Sequence, residues 1–356
     1  MKKKLSNNTK KILITYGMVV VAYIVVQVLM YFGLVNYQLQ GLLVPLCYYS
    51  ILAVSLNLTV GILGELSLGQ AGFACIGVFV GSVFSICLQS SVTIGWLRLL
   101  LAVIIGAIVA GIMGLLIGLP VLRLKGDYLA IVTLAFGEII KNVINVFYVG
   151  KDSAGLHFST TDVASLGLEE DGIVIINGPQ GVSGVSRDAT FTFGIILLLI
   201  TLFIVLNIIN SRDGRAIMAI RDNTIAAESV GINITKYKLM AFSISAALAG
   251  AAGAFYAHNF NNIKAATNNF GYNMSILILV FVVLGGIGNM RGSVIAAVLL
   301  TLLPELLRAF ANYRLLIYSL VLIGMMLYNW SPAALQFRER VRDKIKKRKE
   351  KSGEVQ

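Results

Sequence analysis

The charged side chains of this chain are concentrated in a few short stretches, and the longest of these with a helical pattern is Ser211–Lys238. Its sequence, SRDGRAIMAIRDNTIAAESVGINITKYK, places five basic and three acidic residues among small apolar ones. This spacing predicts an amphipathic element that faces water. An element of this kind is expected to act by contacting another part of the protein or a partner protein.

A second polar stretch, Gly61–Gly77, interrupts an apolar region and carries Glu65, Ser67 and Gln70. Four glycines lie within its first twelve residues, and each weakens a helix by about 1 kcal/mol relative to alanine. One hypothesis is a broken or re-entrant segment that lines a translocation path. The alternative is an ordinary turn followed by a helix that packs closely through its glycines.

Glu138 is the one carboxylate well inside an apolar run, in LAFGEIIKNV. An acid at membrane depth indicates a functional role by default, here in a solute or proton pathway. Lys141 follows three residues later, so a local ion pair on one helix face is the alternative.

No catalytic, metal or cofactor site is predicted. The three cysteines lie in apolar runs without CxxC spacing, which argues against a zinc site and a disulfide framework. The two histidines, His157 and His258, fall in different loops. A GxxxxGK[ST] phosphate-binding loop is absent, so this chain is not expected to hydrolyse ATP.

The composition predicts an all-α, polytopic transmembrane bundle, one integral-membrane domain over residues 1–356. The chain is 57% hydrophobic and 13% charged, and apolar runs of about 20 residues, the length that crosses a bilayer as a helix, recur throughout. A β-barrel would show short alternating segments instead. About ten spans are predicted, at residues 12–35, 41–63, 68–88, 97–122, 128–149, 191–210, 239–257, 275–289, 293–309 and 315–330.

Charge sets the predicted orientation. An even number of spans places both termini on one side, and most lysines and arginines fall in the segments that share the side of the N-terminus. The positive-inside rule makes that side cytoplasmic, and it places the loop 211–238 and the basic tail 336–356 there as well. The net charge of +12 then reflects orientation and anionic lipid headgroups, and nucleic acid is not an expected partner.

The longest predicted extracytoplasmic loop, residues 150–190, is acidic and contains the apolar run GIVIINGPQGVSG between glycines. Loops of this length are usually functional or disordered. Two interpretations stay open, a small ordered cap or docking element and a plain linker.

Within the cytoplasmic loop, Asp222 or Asn223 is a plausible N-cap, Thr224–Val230 would form one or two helical turns, and Gly231 would end them. A helix this short is not stable alone in water. It either fits the groove of a partner or packs on its own bundle. Its expected apolar face consists of Ile225, Ala226, Ser229 and Val230.

Four stretches, in the right order, resemble the M-type (LivM-like) permease subunit of branched-chain amino-acid ABC importers. They are NLTVGILGELSLGQAGFACIGVF, RLKGDYLAIVTLAFGEIIKNV, GRAIMAIRDNTIAAESVGINITKYKLMAFSISAALAGAAGAFYA and VLGGIGNMRGSVIAAVLLTLLPELLR. The resemblance covers roughly residues 40–330 and is more specific to the family than to a substrate.

The resemblance implies a coupling helix. Permeases of ABC importers carry a loop with an EAA…G pattern whose short helix docks in a cleft of the ATPase subunit. Ala226, Ala227 and Gly231 match that pattern, Ile225 stands where the glutamate would be, and Glu228 is the nearby acid that could substitute for it. The implied ATPase-coupling residues are Asp222, Asn223, Thr224, Ile225, Ala226, Ala227, Glu228 and Gly231.

The resemblance also implies partners and a location. These are two ATPase subunits, a second, related permease and an extracytoplasmic solute-binding protein, in a bacterial inner or plasma membrane. The expected role is the translocation path for leucine, isoleucine or valine, with Glu65, Ser67, Gln70 and Glu138 as candidate path residues. Alternatives are a urea or nucleoside permease of the same superfamily, an ion-coupled secondary transporter that uses Glu138, and a non-transporting scaffold, which the loops do not support.

Overall fold

A computed structural model describes residues 7–33, 36–89, 91–124, 126–153, 155–169 and 172–307, and a few positions between 316 and 327 (316–317, 319–320, 322–324 and 327). The chain divides into two compact units, Met1–Val298 and Leu299–Gln356. The basic tail 336–356 and half of the predicted tenth span, 315–330, lie outside the described residues.

The fold is a bundle of long apolar helices, as predicted. Eight helical segments in the described part of the chain are long and apolar enough to cross a membrane. The helices are α1 (Asn7–Tyr31), α2 (Tyr37–Asn57), α3 (Gln70–Cys87), α4 (Gly95–Val121), α5 (Asp127–Val146), α6 (Phe191–Asn210), α7 (Arg212–Asp222), α8 (Thr224–Ser229), α9 (Ile234–Ala257), α10 (Thr267–Phe270), α11 (Tyr272–Gly285) and α12 (Met290–Leu306). A π-helix, Leu58–Leu63, extends α2 without a break.

Small residues bring the central helices α3, α4 and α9 together. A Cβ on Gly77 of α3 would overlap the backbone of Gly250 in α9, and a Cβ on Gly250 would overlap Ala110 of α4. Between apolar helices in lipid, association depends on packing rather than on exclusion of water, so close backbone approach is favoured. The glycines of α3 therefore form the tightly packed helix that was one of the two hypotheses for this stretch.

The outward faces of peripheral helices are apolar. On α4, Ile104, Ile108, Ile112 and Leu116 recur at helical spacing and are each about half exposed. A contiguous apolar surface of this kind is rare on soluble proteins and suits contact with lipid.

A small antiparallel sheet closes one end of the bundle, which is called the sheet end below. Its strands are β1 (Tyr148–Lys151), β2 (Leu156–Ser159), β3 (Ile173–Asn177), β4 (Val182–Ser183) and β5 (Asn262–Ile263), in the order β2-β1-β3-β4-β5. The segment predicted as the loop 150–190 thus contributes an ordered structure that starts at Tyr148. The helical fold class did not include this sheet, because its strands are only two to five residues long.

The sheet shares a core with the bundle. Its buried residues pack with the end of α3 in one apolar cluster, and Lys151 Nζ donates a hydrogen bond to the carbonyl of Cys87 at 3.0 Å. The main members of the cluster are Val78, Phe79, Ile86, Val149, Ile175, Ile176, Val182 and Ile263. The sheet is therefore fixed to the membrane helices.

The packing of α3 on α9 predicts that Gly77→Val destabilises the protein. The added side chain must displace the backbone of Gly250, and overpacking of this kind costs about 1–3 kcal/mol. The matched control is Gly17→Val in α1, where an added Cβ meets nothing within 4 Å. Thermal unfolding in detergent, followed by labelling of the buried thiols of Cys47 and Cys75, should give a lower midpoint for the first variant alone. Equal midpoints would contradict the packing described.

Candidate functional site

The polar stretch between α6 and α9 folds into two consecutive helices, α7 and α8. Ser211 caps α7, because its Oγ accepts a hydrogen bond from the Gly214 amide at 3.1 Å. Asn223, one of the two cap residues considered from sequence, caps α8 by accepting a hydrogen bond from the Ala226 amide at 3.0 Å. Gly231 has φ +84°, a conformation that glycine adopts at little cost, and it closes the turn after α8. The sequence predicted α8 but not α7 as a separate helix.

Helix α8 contacts its own bundle through one buried residue, whereas the other apolar side chains of the helix and its closing turn are exposed to solvent. Ala227 is buried, whereas Ile225 is 81% exposed and Val230 is 75% exposed. Two large aliphatic side chains in the open on a short polar element indicate a contact surface. We call Ile225 and Val230, with the turn that carries them, the α8 surface.

Arg221, near the end of α7, contacts the π-helix that extends α2. Its Nη1 donates a hydrogen bond to the carbonyl of Gly61 at 3.1 Å, and its Nε and Nη2 donate to Asp222 Oδ1 at 3.1 and 3.0 Å. The aliphatic part of the side chain covers Gly64, where an added Cβ would lie 2.5 Å from Arg221 Cγ. The two polar stretches found in the sequence are therefore in contact.

Asn57 connects the same region to the turn between α11 and α12. The side chain is fully buried. Its Oδ1 accepts a hydrogen bond from the Gly288 amide at 2.8 Å, and its Nδ2 donates to Ser293 Oγ at 2.8 Å. A Cβ on Gly61 would overlap the backbone of Gly288. The glycine-rich stretch 284–293, similar in kind to Gly61–Gly77, thus packs directly against it.

The candidate path residues Glu65, Ser67 and Gln70 follow the π-helix, where residues 64–69 are not helical. Glu65 forms an ion pair with Lys238 of α9, and both side chains are largely buried. Gln70 Nε2 donates to Ser55 Oγ at 2.6 Å, and Ser67 is buried beside them. The chain is thus broken between α2 and α3, and its polar groups face α2 and α9.

Glu138 lies in a different place. It forms an ion pair with Lys141, and its Oε1 accepts a hydrogen bond from the Tyr272 amide at the start of α11 at 2.6 Å. Lys141 also donates to Thr267 Oγ1 at 3.0 Å. Thr267 follows the end of α9 and Lys238 lies near its start. The 24 residues of α9 correspond to roughly 36 Å, so Glu138 is not brought together with Glu65.

An ion pair anchors the segment between the sheet and α6. Arg98, buried near the start of α4, donates to Asp188 Oδ2 at 2.6 Å and to Ser186 Oγ at 2.5 Å. Burial of the Asp188 carboxyl favours a higher pKa, but the hydrogen bonds from Arg98 and Ser186 outweigh this effect and hold the pKa of Asp188 below its ordinary value. Asp188 is therefore ionised at neutral pH and fixes this connection.

The described residues suggest a site of contact. Within the parts of the chain that the structure describes, no three His, Cys, Asp or Glu side chains gather as a metal site would require. What gathers instead is a short exposed helix, an arginine, and the connection between two helices long enough to cross a membrane.

Comparison with known proteins identifies the family. The model of a family described as branched-chain amino acid transport system / permease component matches residues 38–329. The chain belongs to this family. It is 35% identical over 303 residues to the high-affinity branched-chain amino acid transport system permease protein LivM of Salmonella typhimurium, and 34% identical to LivM of Escherichia coli. Each alignment covers 81% of this chain and 67% of the relative.

A more distant relative is the probable branched-chain amino acid transport permease protein LivH of Methanocaldococcus jannaschii. It is 26% identical over 283 residues, which is 76% of this chain and 80% of that protein. No solved structure matches the chain.

Sequence reasoning missed three residues that join the permease's polar stretches: Asn57, Arg221 and Lys238. Arg221 and Lys238 counted only as charges of the amphipathic element and of the predicted orientation, and Asn57 was assigned no role. A signal was available for Asn57, because a lone amide in an apolar span needs hydrogen-bond partners inside the protein. No signal in the sequence pairs Arg221 with Gly61, which is 160 residues away.

The burial of Asn57 predicts that Asn57→Ala destabilises this permease. The change removes the hydrogen bonds to the Gly288 amide and to Ser293 Oγ, each worth about 0.5–1.5 kcal/mol, and leaves a cavity at a fully buried position. Asn207→Ala is the control, because Asn207 is exposed on α6. Thermal unfolding of both variants in detergent measures the difference. A wild-type midpoint for Asn57→Ala would show that the Asn57 bonds contribute nothing to stability.

Proposed function

We propose that this chain is the permease subunit of an ATP-binding-cassette importer and that α8 is the point where the ATPase subunit docks. The observation that carries the proposal is the α8 surface, in which Ile225 and Val230 lie open on a capped and terminated helix. A small amphipathic helix that presents its apolar side chains fits the helix-in-groove mode of recognition. Membership of the permease family supports the same role.

The proposed topology has ten spans with both termini in the cytoplasm. The α7–α8 element carries Arg212, Arg215 and Arg221, which favours the cytoplasmic side by the positive-inside rule. The sheet end is then extracytoplasmic, because β4 precedes the start of α6, whereas α7 and α8 follow its end. The basic tail 336–356 lies near anionic headgroups on the cytoplasmic side.

The proposed partners follow from the family and from this topology. Two ATPase subunits hydrolyse ATP, a second, related permease completes the path, and an extracytoplasmic binding protein delivers the solute at the sheet. The solute is leucine, isoleucine or valine, in line with the printed names of the LivM relatives. Glu65, Ser67, Gln70 and Glu138 remain the candidate path residues.

The mismatch at Ile225 acquires a physical meaning in this proposal. Where the general pattern has a glutamate, this chain presents an aliphatic side chain that is 81% exposed. Its transfer from water into a cleft of the ATPase would contribute favourably to binding. Glu228, also exposed on α8, could make the charged contact.

The docking proposal predicts that Ile225→Asp weakens association with the ATPase subunits by about 10-fold or more, the effect of losing a central interface residue. Co-purification of the ATPase with the permease measures it. The control is Ile173→Asp, an equal change of an exposed isoleucine in β3 at the sheet end. If Ile225→Asp retains the ATPase as well as the control does, α8 is not the docking helix.

The rival function, an ion-coupled transporter that uses Glu138, gives the opposite energy dependence. Glu138 is already engaged by Lys141 and by the Tyr272 amide, which suits a tie between α5 and α11. Uptake into cells should stop when ATP is depleted and persist when the proton gradient is collapsed. Uptake that survives ATP depletion, but is lost with the gradient and in Glu138→Gln, would establish the rival.

Urea and nucleoside importers have similar permeases, so the identity of the transported solute must be tested separately from the transport mechanism. Calorimetric binding of leucine, isoleucine, valine, urea and a nucleoside to the cognate extracytoplasmic protein would decide among them.

A further inference from the structure

The helix formed by α2 and its π-helical extension ends at a carbonyl that another element satisfies. The last carbonyls of a helix have no partner within it. The π-helix ends at Leu63, and Gly64 reverses the chain with φ +79°. Arg221 of α7 donates to the carbonyl of Gly61 in this last turn. A cation that bonds to helix carbonyls at the C-terminus is also favoured by the helix dipole.

The capped turn is itself unusual. All six residues of Leu58–Leu63 are buried, and their backbone is π-helical, a conformation that is rare and is frequently found at functional sites. Asn57 immediately precedes it and bonds to Gly288 and Ser293. One side of the π-helix is therefore held by α7, and the other by the start of α12.

A continuous series of contacts joins the α8 surface to this turn. Asn223 caps α8, Asp222 precedes it in the chain, and Asp222 Oδ1 accepts two hydrogen bonds from Arg221. Arg221 then bonds to Gly61. The planar guanidinium presents separate N–H groups to the two partners in one fixed geometry, which the rotatable ammonium of a lysine does not. A displacement of α8 would therefore reach the end of α2 through α7, with Arg221 as the hydrogen-bonded contact.

We propose that Arg221 is the positioning residue that transmits the movement of α8 to the break between α2 and α3, with the π-helix as the part that rearranges. This inference rests on the proposed function, since the movement of α8 comes from the ATPase. Conversion of π-type to α-type hydrogen bonds changes the partner of each amide. Such a conversion displaces residues 64–69 and the start of α3 relative to α2.

Glu65 and Gln70 lie in or next to the displaced segment, and they are bonded to α9 and α2, respectively. A change of register in the π-helix would shift them against α2 and α9. The residues proposed for the path would then respond directly to the ATPase cycle. Two discrete hydrogen-bonding arrangements of one turn supply the bistable element that such coupling requires.

The test uses the complete importer in proteoliposomes, with leucine as the probe, and compares Arg221→Ala, Arg221→Lys and Arg215→Ala. Arg215 is a matched control, because it lies on α7 and bonds only locally, to the carbonyl of Asn210 at 3.4 Å. Three quantities are measured: retained ATPase subunits, ATP hydrolysis, and leucine transported per ATP. Hydrogen–deuterium exchange of residues 58–66 with and without a non-hydrolysable ATP analogue reports on the π-helix.

Arg221→Ala is expected to retain the ATPase and to hydrolyse ATP, while leucine transported per ATP falls about 10-fold or more. Arg221→Lys keeps the positive charge but loses the planar fork, so it recovers part of the ratio, whereas Arg215→Ala matches wild type. In wild type the analogue changes exchange in residues 58–66, and in Arg221→Ala it does not.

A wild-type ratio of leucine transported per ATP in Arg221→Ala overturns the inference. So does an analogue-induced change in exchange of residues 58–66 that is the same in Arg221→Ala as in wild type. Loss of the ATPase from Arg221→Ala also overturns it, because Arg221 would then act in docking. If the wild-type chain itself fails to bind an ATPase, the proposed function is wrong. Binding of the ATPase by the wild-type chain therefore distinguishes failure of the proposed function from failure of the inference about Arg221.

Discussion

The carbonyl of Gly61 lies in the last turn of the helix formed by α2 and its π-helical extension, where helix carbonyls have no partner within the helix. The contacts of this turn with distant elements follow from that constraint. Arg221 bonds to the carbonyl of Gly61, and Asn57 bonds to the amide of Gly288. The end of one helix is thus in contact with α7 and with the turn between α11 and α12.

The two ends of the bundle are built for different contacts. At the sheet end, short strands share an apolar core with α3, and the Arg98–Asp188 pair fixes the connection to α6. At the other end, α8 is held by the single buried residue Ala227 and presents Ile225 to its surroundings. A rigid cap and a lightly held helix suit a transporter that receives solute at one end and mechanical work at the other.

Local features were predictable from the sequence because their causes are local. The long apolar runs predicted the membrane helices. The polar residue before Thr224 and the glycine at 231 predicted α8 and its cap. The sheet was not predictable in this way. Its strands are very short, and β5 (Asn262–Ile263) joins β4 from beyond α9. Pairing between distant segments leaves no periodic signal in either.

Glu138 shows where local reasoning stops. Its pairing with Lys141 follows from helical spacing, and the sequence offered that pairing as one of two hypotheses. Its second bond, to the amide of Tyr272, comes from packing of α5 on α11. The sequence by itself determined the class of fold, the membrane helices and the amphipathic element, because hydropathy and helix caps act over a few residues. Only the tertiary structure decided that Arg221 meets Gly61, because that contact depends on how distant helices pack.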